Sequence, residues 1–105
     1  MSDVENAGLE QKPEERIPLP PASFEFLTLS IRAQAEWQLG LVHFGPDQEK
    51  PKADLDLARH SIDLLAILQE KTKGNLSLEE QRLLENSLTE LRFRFVQALE
   101  ESKKS

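Results

Sequence analysis

Residues 62–88 read IDLLAILQEKTKGNLSLEEQRLLENSL, and this stretch decides the fold. Its first half carries apolar residues three and four apart, the period of an amphipathic helix and not of a strand. Lys71 and Lys73 follow, where a helix C-terminus favours cations. Gly74 is next, a residue that ends a helix in the left-handed region without a Cβ penalty. Ser77-Leu78-Glu79-Glu80 comes at once. Serine at the N-cap with glutamate three residues on is a capping box, in which each side chain bonds the other's backbone N–H. Only Asn75 and Leu76 separate the stop from the start. A connection that short joins antiparallel neighbours, so the two helices form an αα-hairpin.

Outward from this hairpin the same period holds. The upstream helix is expected over 54–73, capped by Asp54 or a neighbour, with Asp56 in its first turn. Leu55, Ala58, Ile62, Leu65 and Gln69 form its main stripe, and Leu57, Leu64 and Leu68 a second one beside it. The downstream helix is expected over 77–101, with Leu84, Leu88, Leu91, Phe95 and Ala98 or Leu99 on its main face. Residues 45–53, GPDQEKPKA, form a polar loop with two prolines. Before the loop, a first helix is expected over about 24–42, with Ser23 as N-cap; Gly40 either ends it or lets a last turn run on to Phe44. Glu25, Thr28, Arg32 and Glu36 fall on one narrow strip of that helix, expected to face water. Nearly everything else on it is apolar or small. The expected fold is all-α: a three-helix antiparallel arrangement with a tight αα-hairpin on its C-terminal side.

Residues 1–22 are of another kind. They hold Asp3, Glu5, Glu10, Glu14 and Glu15 against Lys12 and Arg16, and four of the six prolines. Apolar residues there are sparse and aperiodic, so burial does not offset the entropy of ordering, and a disordered acidic tail is expected. Ile17-Pro18-Leu19-Pro20-Pro21 favours polyproline II. Its PxxP spacing reads as a stop before the first helix rather than a recognition motif. The chain thus divides into a tail, 1–22, and a helical domain, 23–105.

Composition excludes several functions. With 105 residues the chain holds one domain and one modest core. Its formal net charge of −6 argues against nucleic acid and anionic membrane surfaces as partners. There is no cysteine, which removes disulfides, thiolate nucleophiles and cysteine-ligated zinc. The first residues lack the basic and apolar regions of a signal peptide, and no apolar run approaches a membrane span, so a cytoplasmic protein is expected.

Candidate chemistry is sparse. His60 lies near Asp56 and Asp63 on a helix surface, but a di-metal helical site needs Glu-x-x-His pairs on two helices, and none occurs. The favoured reading is a solvated face on which Arg59 pairs with Asp56 and Asp63. Lys71-Thr72-Lys73-Gly74-Asn75 is not a phosphate loop, because its basic residues end one helix instead of preceding another. Arg92-Phe93-Arg94-Phe95 alternates charge and aromatics, yet on a helix these do not share a face, so it is no stacking platform for bases. No catalytic triad, glycine-rich nucleotide loop or carboxylate pair is present, and no cofactor or metal is expected.

The apolar surface, by contrast, is in excess. A helix on the surface of a small bundle needs an apolar stripe of about 100°, and the second helix carries roughly twice that. Phe26, Leu27, Ile31 and Trp37 of the first helix, Leu57, Leu64 and Leu68 of the second, and Phe93 and Val96 of the third form the candidate interaction surface. Gln34 joins them as an amide that, with Ser30 and Gln38, either fixes register by inter-helix hydrogen bonds or lies at a groove edge. A symmetric dimer is the commonest way to cover such patches, so a homodimer is expected, with room for a further protein partner.

The segments FLTLSIRAQAEWQLG (26–40) and DLDLARHSIDLLAILQEKTKGNLSLEEQRLLENSLTELRFRFV (54–96) resemble a small bacterial family known only as a domain of unknown function. The resemblance implies a bacterial, cytosolic, mostly helical protein and carries over no catalytic residue. The family's tyrosine before the final valine is Phe95 here, so a hydroxyl is not needed at that position. Two readings follow. One is a non-enzymatic, self-associating interaction module. The other is a small-ligand or cation-binding bundle with weak enzymatic activity, in which Asp56, Asp63 and Glu70 edge a cation site. An enclosed pocket with convergent polar groups favours the second, and a filled core with an exposed apolar patch favours the first.

Overall fold

A computed structural model describes residues 18–42 and 52–104. They contain three helices, α1 (Phe24–Gln38), α2 (Leu55–Lys71) and α3 (Leu78–Lys104), each packed on the other two. There is no strand among the described residues, as the helical periodicity requires. The expected tail before residue 18, most of the 45–53 loop and His43 lie outside the described residues.

The sequence signals for helix ends act as written, with shifted bounds. Ser23 Oγ accepts the Phe26 N–H at 3.0 Å and starts α1. Gly40 ends it. The Leu41 N–H reaches the Glu36 carbonyl at 2.9 Å, and the Gly40 N–H reaches Trp37 at 3.0 Å. With Gly40 at φ +77 these two bonds make a Schellman motif. The helix therefore stops at Gln38 rather than continuing to 42, since its last carbonyls are already satisfied. Asp54 Oδ1 caps α2 through the Leu57 N–H at 3.1 Å. The far end of α2 closes at Lys71, where both the N–H and the hydroxyl of Thr72 bond the Leu68 carbonyl. Gly74 then takes φ +83. Both halves of the capping box form: the Glu80 N–H donates to Ser77 Oγ at 3.1 Å, and the Ser77 N–H donates to Glu80 Oε1 at 2.8 Å. The Lys71–Asn75 segment is accordingly a structural turn. Past the expected end at 101, α3 runs on to Lys104.

The core follows the main stripes read for the second and third helices, and the first adds Ala35 and Leu39, which belonged to no stripe; of the second stripe on α2, Leu57 is exposed. Ala35 and Leu39 of α1, Ala58, Ile62 and Leu65 of α2, and Leu84, Leu88 and Leu91 of α3 form one buried cluster. Phe95 and Ala98 pack against it. Each fully buried leucine stabilises the fold by about 1.5–3 kcal/mol. Small residues are among the most deeply buried. Thr28, Ala35, Ala58, Ser61 and Ser87 are all 1% exposed or less, and short side chains there let the backbones approach.

Direction follows from the contacts. The Asp54 N–H bonds the Gln38 carbonyl at 2.7 Å, fastening the start of α2 to the end of α1. So α1 and α2 are antiparallel, as are α2 and α3, and α1 runs parallel to α3. At 27 residues against 17, α3 is about 15 Å longer than α2 and overhangs the α1–α2 end of the bundle.

One expectation is reversed. Past its first turn, where Glu25 stays exposed, the polar strip of α1 is turned towards the bundle. Thr28 is fully buried, and Arg32 and Glu36 are half-buried at the seam with α3. Arg32 Nε bonds Glu36 Oε2 at 3.1 Å, and Arg32 Nη1 reaches Ser87 Oγ at 3.3 Å. Polar groups occupy this seam because each charged one finds a partner there and because Thr28 and Ser87 are small. The consequence is that the opposite, apolar side of α1 is turned to solvent.

Candidate interaction surface

On α1 the residues Phe26, Ser30, Ala33 and Trp37 fall within about 60° of arc, opposite the buried side that holds Thr28 and Ala35. All four are exposed, and Leu29 flanks them. Trp37 is 52% exposed and Phe26 43%, a large area for side chains of this size. Ser30 donates its hydroxyl to the Phe26 carbonyl at 2.8 Å, so its polar atom is turned onto its own helix.

Gln34 and Gln38 stand at the edge of this face, and both bond across to α2. Gln34 Nε2 donates to Ser61 Oγ at 3.2 Å, and Ser61 Oγ donates to Gln38 Oε1 at 2.6 Å. A single buried hydroxyl thus holds two amides one turn apart, which fixes the register of α1 on α2. Of the three polar residues singled out in the sequence, Gln34 and Gln38 cross the interface, and Ser30 does not. Leu57 and Leu64, four residues before Ser61 and three after it, share the side of α2 that holds Ser61.

The remaining candidate residues divide. Leu27 and Leu57 are exposed, Leu64 is half-buried, and Ile31 and Leu68 are half-buried against the core. Phe93 and Val96 are exposed on the outward side of α3, a patch separate from that of α1. Leu29 and Ile67 are also exposed, and sequence reasoning did not single them out. Their signal was a position off the main stripe of each helix, and that signal was available.

Two open grooves lie along α3. The first, of about 470 Å³, is lined by Arg32, Glu36, Glu90 and Arg94 over a floor that includes Leu91. Its ion pairs lie within single helices, Arg94 Nε with Glu90 Oε2 at 2.9 Å and Arg32 with Glu36, while Arg32 also reaches Ser87 of α3. The second, of about 460 Å³, lies under the α3 overhang between Leu39, Leu55 and Ala98. On the outer side of α2, Asp56, Arg59, His60 and Asp63 are exposed. The expected pairs of Arg59 with Asp56 and Asp63 do not form, because these side chains extend into water, where an ion pair gains little. Glu70 instead pairs with Lys73 at 3.6 Å. Among the described residues no three histidine, aspartate or glutamate side chains gather as a metal site, and no helix is long and apolar enough to cross a membrane.

Neither a curated protein nor a solved structure matches the chain. A family model does. It spans residues 21–97, from the approach to α1 through most of α3, and it covers every residue of the α1 face and of the polar seam. The chain belongs to the family described as Domain of unknown function (DUF1844).

Proposed function

We propose that this chain is a non-enzymatic, cytoplasmic helical interaction module that self-associates as a dimer. One observation carries the reading: α1 turns its large apolar side chains Phe26, Leu29 and Trp37 to solvent, while Arg32 and Glu36 are half-buried at the seam with α3. Exposed patches of this kind on a small domain drive association, because covering them is favourable at about 25 cal/mol per Å². A docking role is further supported by the first groove, whose arginines and glutamates bond one another rather than converging on a shared point. The leucines at the centre of the bundle are fully buried, which fits the filled core expected of such a module.

Light scattering on the purified chain tests this. At high micromolar concentration the expected mass is twice the 12.0 kDa of one chain. A mass of one chain under those conditions overturns the proposal.

A further inference from the structure

The outward face of α1 is self-complementary. Phe26 and Trp37 lie equally far from the midpoint between Ile31 and Arg32, one on each side, and Ser30 and Ala33 lie equally far from it, closer in. The centre line of the face therefore reads large, small, small, large along a single helix, with Leu29 at its margin, where the same axis sets it opposite Gln34 of the copy. Two such faces laid antiparallel about that midpoint bring Phe26 of each onto Trp37 of the other and Ser30 of each onto Ala33 of the other. The small residues sit at the crossing, where helix backbones approach closest, and the aromatics fill the space on either side. A two-fold axis demands this kind of pattern, in which residue i meets j and j meets i.

We infer that the dimer is built by α1 packing antiparallel on α1 of a second copy of this chain, with Phe26 against Trp37 and with Ser30 and Ala33 at the crossing point. This rests on the self-association proposed above. The occupant is a second copy because the symmetry of the face matches that partner without further assumption. The area agrees. The exposed parts of Phe26, Leu27, Leu29 and Trp37 amount to about 350–400 Å² per chain on the usual sizes of these side chains. With Ser30, Ala33, Gln34 and Leu57 of α2, two chains bury about 1,000 Å², the lower limit for a specific interface. The contact is short, about 16 Å along each helix. An interface of that size belongs to the weak, reversible class and not to that of obligate dimers.

The absence of cysteine from the chain makes the test direct. Ser30→Cys and Ala33→Cys chains, distinguished by a small mass tag, are mixed, mildly oxidised and resolved by mass spectrometry without reduction. The antiparallel pairing puts residue 30 of one chain opposite residue 33 of the other, and sets like residues about 4.5 Å apart along the axis, which strains a disulfide. The mixed disulfide is then expected about fivefold or more over either like pair. Ala33→Arg, at an exposed position of the bundle, is expected to return the mass to one chain with the helical circular dichroism unchanged. A predominance of the Ser30→Cys like pair means parallel helices and overturns the inference. A dimer that persists in Ala33→Arg and forms no disulfide overturns it too, while leaving self-association standing. A wild-type chain that stays single at high micromolar concentration removes both.

Discussion

Thr28→Val should make this protein more stable, although it removes a polar group from a domain with few to lose. Thr28 is fully buried on the inward side of α1, and its Oγ1 is the one buried side-chain polar atom among the described residues without a hydrogen-bond partner. A buried hydroxyl that bonds nothing costs about 1–3 kcal/mol. Valine keeps the branched shape and a similar helix propensity, so the backbone and χ1 terms nearly cancel. It also adds a methyl group, worth about 0.8 kcal/mol when buried. A small loss to crowding leaves a net gain of about 1–2 kcal/mol. For a domain of this size that raises the melting temperature by about 4–8 °C per kcal/mol. Urea unfolding followed by circular dichroism reads the change, at one fixed protein concentration because dimerisation shifts the midpoint. Thr28→Ser is the control. It keeps the hydroxyl and removes the methyl, and should lose about 1 kcal/mol. If valine destabilises the chain as much as serine does, the hydroxyl is bonded in solution, for instance to a buried water, and the reasoning fails.

Three further perturbations test the local arguments. Ser77→Ala removes half of the capping box and should cost about 1 kcal/mol, with Ser77→Asp recovering most of it; urea midpoints that do not distinguish alanine from aspartate would refute the cap's importance. Gly74→Ala should cost about 1–2 kcal/mol from its positive φ alone, since nothing lies within 4 Å of a Cβ built there, and Gly74→Asn should cost less. Ser61→Ala strips the bridge between Gln34 and Gln38 and should cost about 1–2 kcal/mol; in a Gln34→Ala, Gln38→Ala background the same change should cost much less, which a thermodynamic cycle measures.

The elements of the fold were legible because each is specified locally. Ser23, Asp54 and Ser77 cap helices with their own side chains, Gly40 and Gly74 take positive φ at the stops, and the leucine stripes of α2 and α3 become the core. The orientation of α1 was not legible. Its period offered a polar strip and an apolar arc, and polarity alone sends the strip to water. Size and partnership decided otherwise. Arg32 reaches Ser87 across 55 residues of sequence, and Gln34 and Gln38 converge on Ser61, contacts that no local pattern announces. The α1 face was partly legible for the same reason. Phe26 and Trp37 stood out as large apolar residues, whereas Leu29 and the small pair Ser30 and Ala33 acquire meaning once the inward side is known.

Turning α1 over by half a turn shows what holds it in place. Phe26, Leu29 and Trp37 would then point at the bundle in place of Thr28 and Ala35, and α1 would have to move outward to admit the rings. Arg32 would lose Ser87, and both glutamines would lose Ser61. The flip would also expose Leu39 and Ala35 of the core and Phe24 and Ile31 packed against it. The observed orientation therefore keeps a mixed inward side, apolar, small and bonded polar together, and leaves the rings of Phe26 and Trp37 about half exposed. On the proposed pairing those rings are covered: α1 becomes the middle layer of a two-chain assembly, bonded through its polar side to its own α2 and α3 and packed through its aromatic side on its copy. Stability that rises with chain concentration for the wild type, and does not rise for Ala33→Arg, would be the thermodynamic signature of that arrangement.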